Sequence, residues 1–223
     1  MDLEAFALSL RLAAATSAVL LIIAVPLAAW IAFTRRRWVS IVEAVVALPI
    51  VLPPTVLGFY LLVAMGSQSP LGRWWIDLTG GPLVFSFTGL LIASVLSSLP
   101  FAVQPMVASF SVIDRRLIDA SFVLGRGWFS AMNRVVIPLA RAGLVTAMVL
   151  TFAHTLGEFG VVLMVGGNIP GSTRTLSIDI YDSVQAFDYG AAGLTSLVLL
   201  LFSAVSLTVV YALRRRGDRR WVM

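Results

Sequence analysis

Along the chain, long apolar runs alternate with short polar interruptions, and several of the runs are long enough to cross a bilayer. Spanning about 30 Å of hydrocarbon at about 1.5 Å per residue takes roughly 20 mostly apolar residues. Five stretches meet that length: residues 12–33, 44–65, 85–110, 142–165 and 191–213. The pattern predicts an all-α integral membrane protein with five transmembrane helices, residues 1–223 forming one transmembrane domain. The first stretch lacks the short core and small-residue cleavage site of a signal peptide, so it is expected to be retained. It reads as an ordinary lipid-facing helix, kinked at Pro26, with Trp30 and Trp38 in the inner aromatic belt. The longest polar interruption, 114–141, separates the third and fourth stretches.

Composition agrees with that reading. Hydrophobic residues make up 59% and charged residues 12% of the chain, against about 25% charged in soluble domains. Cysteine is absent, which excludes disulfides and thiolate metal sites. All 16 basic residues are arginine, and their distribution sets an orientation. Arg35, Arg36 and Arg37 follow the first stretch, five arginines lie in 114–141, and Arg214, Arg215, Arg216, Arg219 and Arg220 end the chain. The alternate loops carry Arg73 and Arg174 against Asp77, Asp179, Asp182 and Asp188. Basic loops stay in the cytosol. The N-terminus is therefore expected outside, the C-terminus inside as an arginine-rich anchor, and 114–141 in the cytosol.

Within 114–141, Leu117, Ala120, Ser121 and Leu124 recur at helical spacing, Gly125 and Gly127 interrupt, and Trp128, Phe129, Met132, Val135 and Val136 resume an apolar face. The spacing predicts a short helix, a break and a second short helix, with Pro138 turning the chain toward the next membrane segment. Such a basic, amphipathic insert either lies on lipid headgroups or meets a protein partner.

Three other features carry candidate chemistry. Pro49, Pro53 and Pro54 interrupt the second stretch, and Thr55 follows; a break at that depth is tolerated only inside protein or beside a watery cavity. The segment is thus expected inside the bundle, as a packed kink or as a lining of a pathway. In the third stretch Ser94, Ser97 and Gln104 share a helical face and Pro100 and Pro105 are expected to break the helix; the serines either tighten packing or line a conduit. His154 and Glu158 stand four apart in the fourth stretch with Thr151 on the same face. An intramembrane carboxylate is costly and needs a partner. One His and one Glu fall short of a metal-ligand set, so no metal or cofactor is expected. Outside, Gly166 to Leu176 reads as a turn leading into an amphipathic stretch that presents Leu176, Ile180, Val184 and Phe187. Its acidic face, Asp179, Asp182 and Asp188, either docks a soluble protein or seals the outer mouth.

Several motifs add a resemblance. Asp119-Ala120-Ser121, three residues, Gly125, nine residues, then Val135-Val136-Ile137-Pro138 resembles the EAA loop of ABC importer membrane subunits. Departures from the family pattern are Asp119 for Glu, Ser121 for Ala, Val135 for Ile and Ile137 for Leu. The run LPIVLPPTVLGFYLL from Leu48 and Asn168-Ile169-Pro170-Gly171 with Arg174 are similar to segments of molybdate importer membrane subunits, and Gly157-Glu158-Phe159-Gly160 resembles a stretch of molybdate and sulfate importers.

The resemblance implies a non-catalytic permease subunit of an ATP-driven molybdate importer in the bacterial inner membrane. It implies a homodimer, two ABC ATPase subunits on the cytoplasmic side and an external oxyanion-binding protein. Among site residues it implies an ATPase-coupling set of Asp119, Ala120, Ser121, Gly125, Arg126 and Pro138. Pro53, Pro54, Thr55, Ser97, His154, Gly157 and Glu158 become the expected pathway or gate, and Asn168, Arg174, Asp179 and Asp182 the binding-protein contact.

A small-residue face at Ala120, Ser121 and Gly125 suits close helix approach to such a partner. With no lysine the chain cannot form a Walker-type phosphate loop, so ATP hydrolysis is expected elsewhere. No nucleic-acid partner is expected, and membrane lipid is. Alternatives are a tungstate or a sulfate/thiosulfate importer, an ion-coupled secondary carrier, for which no pseudo-symmetric repeat is visible, and a membrane hydrolase, for which no nucleophile, base and orienting group assemble.

Overall fold

The computed structural model describes residues 2–218, and they are helical throughout, with no strand among them. α1 runs Leu3–Phe33, α2 Val39–Val51, α3 Pro54–Met65, α4 Pro70–Thr79 and α5 Phe87–Ser111. α6 follows at Arg115–Val123, then α7 Trp128–Ala131, a π-helical turn Met132–Val136, and α8 Ile137–Leu139. α9 is Arg141–Gly157, α10 Gly160–Gly166, α11 Leu176–Gln185 and α12 Tyr189–Asp218. Three helices are uninterrupted and apolar enough to cross a membrane, or up to five if each of two bent pairs counts as one span. The bent pairs are α2 with α3, at 109°, and the run Trp128–Leu139 with α9, at 78°.

α1 begins earlier than its apolar run because Asp2 caps it, its carboxylate accepting from the amides of Glu4 at 2.9 Å and Ala5 at 3.2 Å. Arg11, which hides the start in a hydropathy reading, lies over the Phe87 ring at 4.5 Å. α1 is also not the lipid-facing helix expected. Ala5, Ser9, Ala13 and Ser17, then Leu20, Ala24 and Ala28, are buried at four-residue intervals. Between membrane helices there is little hydrophobic driving force, so close packing of small side chains supplies the association. That stripe lets α1 lie against α5 along its length, and α9 closes the third side of the core. Phe110, Met106 and Val136 fill the lower end of this core.

α5 stays continuous through Pro100 and Pro105, contrary to the expected break. Proline fixes φ near the helical value, and α1 and α9 hold the two flanks of the helix in place. Here α9 approaches closely at Gly143, where a Cβ would overlap the Ser109 side chain.

The second stretch breaks where its prolines lie: Pro53 is the N-cap of α3 and Pro54 its first residue. Within this chain it is not enclosed. α2 buries only Val39 and Val46, and Pro53, Pro54 and Thr55 are exposed. The fourth stretch, expected as one helix over 142–165, also breaks: α9 stops at Gly157 and Glu158 has extended backbone. The short helix beyond the second break packs on the short helix beyond the first. Gly58 of α3 makes this possible, since a Cβ there would sit 2.7 Å from the Met164 Cβ. α12 lies at the periphery against α9 and α11, as a lipid-facing segment would. Of the arginine-rich tail, Arg219 and Arg220 lie outside the described residues.

Candidate functional site

The polar insert folds as its spacing predicts. Asp114 caps α6 through its carboxylate, which accepts from the Arg116 amide at 2.9 Å. α6 ends where Gly125 takes φ +76°, and the Arg126 amide returns to the Ser121 carbonyl at 3.1 Å. This is a glycine-terminated helix end, with the left-handed residue just past the cap. Open space surrounds Gly125, so its requirement is conformational and not one of close approach. The small-residue face expected at Ala120, Ser121 and Gly125 is not assembled: Ser121 turns inward at 6% exposure, while Ala120 and Gly125 face out. Asp119 lines a crevice of about 180 Å³ with Arg115 and Trp128; Arg126 and Pro138 are exposed.

What covers the tip of the insert is apolar. Val123 is 87% exposed, Leu124 77% and Phe129 81%, joined by the half-exposed Leu117, Phe122 and Trp128. Contiguous exposed apolar side chains on a basic, polar insert mark a contact surface. The sequence reading counted Leu124 and Phe129 into apolar helical faces and did not single out Val123. The available signal was that large apolar residues flank a glycine break that no core could cover. The π-helical turn then passes the chain without interruption from α7 into α8, and the 78° bend falls two residues after Pro138.

The second candidate element lies between α5 and α9. His154 Nε2 is 3.4 Å from Glu158 Oε2, and its Nδ1 is 3.0 Å from the Ser98 hydroxyl. Ser98 in turn meets the Thr155 hydroxyl at 2.9 Å. The His154 ring stacks on Phe101 with centroids 4.0 Å apart. The remaining Glu158 oxygen accepts from the Val161 amide at 3.3 Å, and Ser97, whose hydroxyl donates to the Ser94 carbonyl at 3.3 Å, stands beside the carboxylate. Glu158 therefore sits at the free N-terminal amides of α10, where a carboxylate is favoured. Ser94 and Thr151 are fully buried, and their hydroxyls have no hydrogen-bond partner among the described residues.

The structure thus brings Ser97, His154 and Glu158 together. Pro54 joins them from the other break, its Cβ lying 2.7 Å from where a side chain on Gly160 would begin. Pro53 and Thr55 flank it on the exposed side, and Gly157 is exposed with nothing near its missing Cβ. Gln104 is exposed and off this face, contrary to the expected grouping with Ser94 and Ser97. Ser98 and Phe101 were missed; with Ser94 they repeat at four and seven residues, the face that α9 covers.

At the other end, Asn168, Arg174 and Asp182 bond one another. Arg174 Nε donates to Asn168 Oδ1 at 2.7 Å, the Asn168 amide donates to Asp182, and an Arg174 nitrogen lies 3.7 Å from Asp182. Asp179 stands apart from them and accepts from the Thr195 hydroxyl of α12 at 3.4 Å. The apolar face of this stretch also differs from expectation, since α11 buries Leu176 and Ile178 while Val184 and Phe187 are exposed.

Comparison with known proteins adds the following. The family described as binding-protein-dependent transport system inner membrane component matches residues 13–222. The chain is 49% identical over 214 residues to the molybdenum transport system permease protein ModB of Azotobacter vinelandii, covering 96% of this chain and 95% of that one. It is 33% identical over 183 residues to the ModB of Escherichia coli (strain K12), covering 81% and 80%. Among solved structures, an inward-facing MetNI methionine ABC transporter aligns with a TM-score of 0.75 at 16% identity, over 96% of this chain and 94% of that one, which is a likeness of fold.

Proposed function

The chain belongs to the family of binding-protein-dependent transport system inner membrane components, and from that premise we propose how it works. It is the multi-pass inner-membrane permease of a molybdate ABC importer, a transport subunit and not the motor. Its near full-length identity to ModB proteins supports molybdate as the cargo. ATP is hydrolysed by a pair of ABC ATPase subunits in the cytosol, and the anion is delivered outside by a soluble binding protein.

The observation that carries the mechanism is the apolar tip of the basic insert, centred on Val123, Leu124 and Phe129. In this reading it is the seat for the ATPase. A displacement there passes along the continuous run from α7 through α8 into α9, and α9 carries His154 and Glu158 to the point where the two helix breaks abut. Residues 1–223 act as one transmembrane domain of five spans, each bent pair serving as one. The N-terminus lies outside and the C-terminus inside, as the arginine distribution supports.

Pro53, Pro54 and Thr55 are exposed within one chain, yet free backbone groups at membrane depth require cover. A second copy supplies it in this proposal, related by a two-fold axis, with the broken helices beside the anion path. α2, α3, α5 and α10 hold no arginine, and α9 has only Arg141 at its start. This suits a conduit that must release what it admits and leaves selection to the binding protein. Asn168, Arg174 and Asp182, with Asp179 behind them, form the outer rim to which that protein docks.

Two measurements test this. In proteoliposomes containing the ATPase and the binding protein, ATP-driven uptake of molybdate should be competed by tungstate about equally and by sulfate at least ten-fold less, an order-of-magnitude expectation for a site built on size and hydrogen bonding. Preferential sulfate uptake would reassign the cargo. The chain has no cysteine, so a single Val123→Cys should react with an impermeant maleimide only from the cytosolic side. Labelling from the outside would overturn the orientation and the docking seat together.

A further inference from the structure

α1 ends at Phe33, and a helix C-terminus leaves its last carbonyls without intrahelical donors and with partial negative charge. No basic residue stands in the last turn of α1 to meet them. The donor comes from another element. The Arg115 guanidinium donates to the Phe33 carbonyl at 2.9 Å and to the Ala32 carbonyl at 3.4 Å, and its Cζ lies 5.9 Å from the Phe33 ring centroid. Arg115 is the first residue of α6, a position where the helix dipole disfavours a cation. Its placement answers to α1 and not to α6.

Phe33 gathers further contacts. Its ring stacks on Phe110 of α5 at 6.4 Å and 14°, and meets Trp128 of α7 edge-on at 5.8 Å. The ends of α1, α5, α6 and α7 therefore converge on one side chain. Beside it, a groove of about 650 Å³, walled by Trp30, Phe33, Trp128 and Met132, separates α1 from the π-helical turn. The junction is tied on the α6 side and open on the other.

We propose that Arg115 and Phe33 form a strut that carries movement of α6 into α1, a second transmission line beside the run through α9. It rests on the reading of the insert as the motor's seat. α1 packs along both α5 and α9, so a push at Phe33 arrives at the two helices that hold Ser98 and His154. Arg115 is a positioning residue in this scheme and touches neither anion nor nucleotide.

Arg115→Met keeps an unbranched apolar stem and removes the donors, whereas Arg115→Lys keeps charge and a donor without the planar fork. In proteoliposomes carrying the complete complex, molybdate moved per ATP hydrolysed should fall about ten-fold in Arg115→Met, the scale of one lost charged hydrogen bond, and recover in part in Arg115→Lys. An unchanged ratio would overturn the strut. Loss of the ATPase from Arg115→Met complexes would overturn it too, because the residue would then belong to the docking contact. Absence of ATP-driven uptake by the unsubstituted complex would instead sink the importer reading.

A readout independent of transport uses spin labels on Arg36→Cys and Arg116→Cys, both exposed positions in a chain without other cysteines. The inter-label distance should stay the same with and without ATP and broaden when Arg115→Met is added. A nucleotide-dependent shift with Arg115 intact would mean that α1 and α6 do not move as one.

Discussion

Replacing Val123 and Leu124 together by aspartate is expected to release the ATPase subunits while leaving the membrane domain folded. Both side chains stand clear of the chain's own core, so charge there disturbs no internal packing. Burying a Val or Leu side chain fully against a partner contributes about 1.5–3 kcal/mol. Losing both, and desolvating two carboxylates in their place, weakens the contact by at least about 3 kcal/mol, or roughly 100-fold in Kd. The measurement is co-purification of the ATPase with the tagged permease in detergent, beside the melting temperature of the permease alone. Retention of the ATPase would remove the tip from the docking surface. A parallel loss of melting temperature would assign the two residues to folding instead. Gly125→Trp is expected to release the ATPase as well, but it reads less cleanly because φ +76° is strained for any side chain.

The second large effect is expected at Glu158. Glu158→Gln keeps the shape and an acceptor for the Val161 amide while removing the charge opposite His154. Hydrogen bonds to charged groups contribute about 1.5–3 kcal/mol, so uptake should change roughly ten- to hundred-fold with assembly intact. Glu158→Ala goes further, leaving the Val161 N–H and the His154 Nε2 without a partner, where unpaired polar groups inside the bundle are costly. Its yield and thermal stability should fall. Uptake by Glu158→Gln at the unsubstituted rate would take Glu158 out of the gate and leave it as the N-terminal anchor of α10.

Much of this fold is legible in the chain because hydrocarbon thickness imposes a length that apolar runs must meet. What hydropathy cannot report is which side of a helix meets protein. α1 looked like a lipid-facing span since alanine and serine are compatible with either environment. The four-residue recurrence at Ala5, Ser9, Ala13 and Ser17 was the cue that it forms the core. The break at Pro53 announces itself through proline, whereas the break at Glu158 has no proline to mark it. It is held by the carboxylate binding the next helix's amides, a tertiary fact. Conversely, Pro100 and Pro105 suggested a break that packing on both flanks suppresses.

In the candidate site, the pairing of His154 with Glu158 followed from helical spacing alone. Ser98 did not, because adjacent serines at 97 and 98 face opposite partners and one residue of rotation decides between them. The Ser97 hydroxyl returns to the Ser94 carbonyl of its own helix, and Ser98 turns to His154 and Thr155. On the insert, Gly125 was read correctly as an interruption, but its reason is a left-handed backbone and not a tight fit against another helix.

The widened turn at Met132–Val136 sets the azimuth of everything on its cytosolic side. Backbone that winds with about one extra residue per turn takes that residue up within the turn, so the segments on its two sides stay in phase. One further residue wound as ordinary α would have no such turn to take it up and would rotate Val123 and Leu124 by about 100° around the axis of the Trp128–Leu139 run. In the proposed docking the motor would then have to approach from another compass bearing, so the five-residue turn holds the heading of that contact.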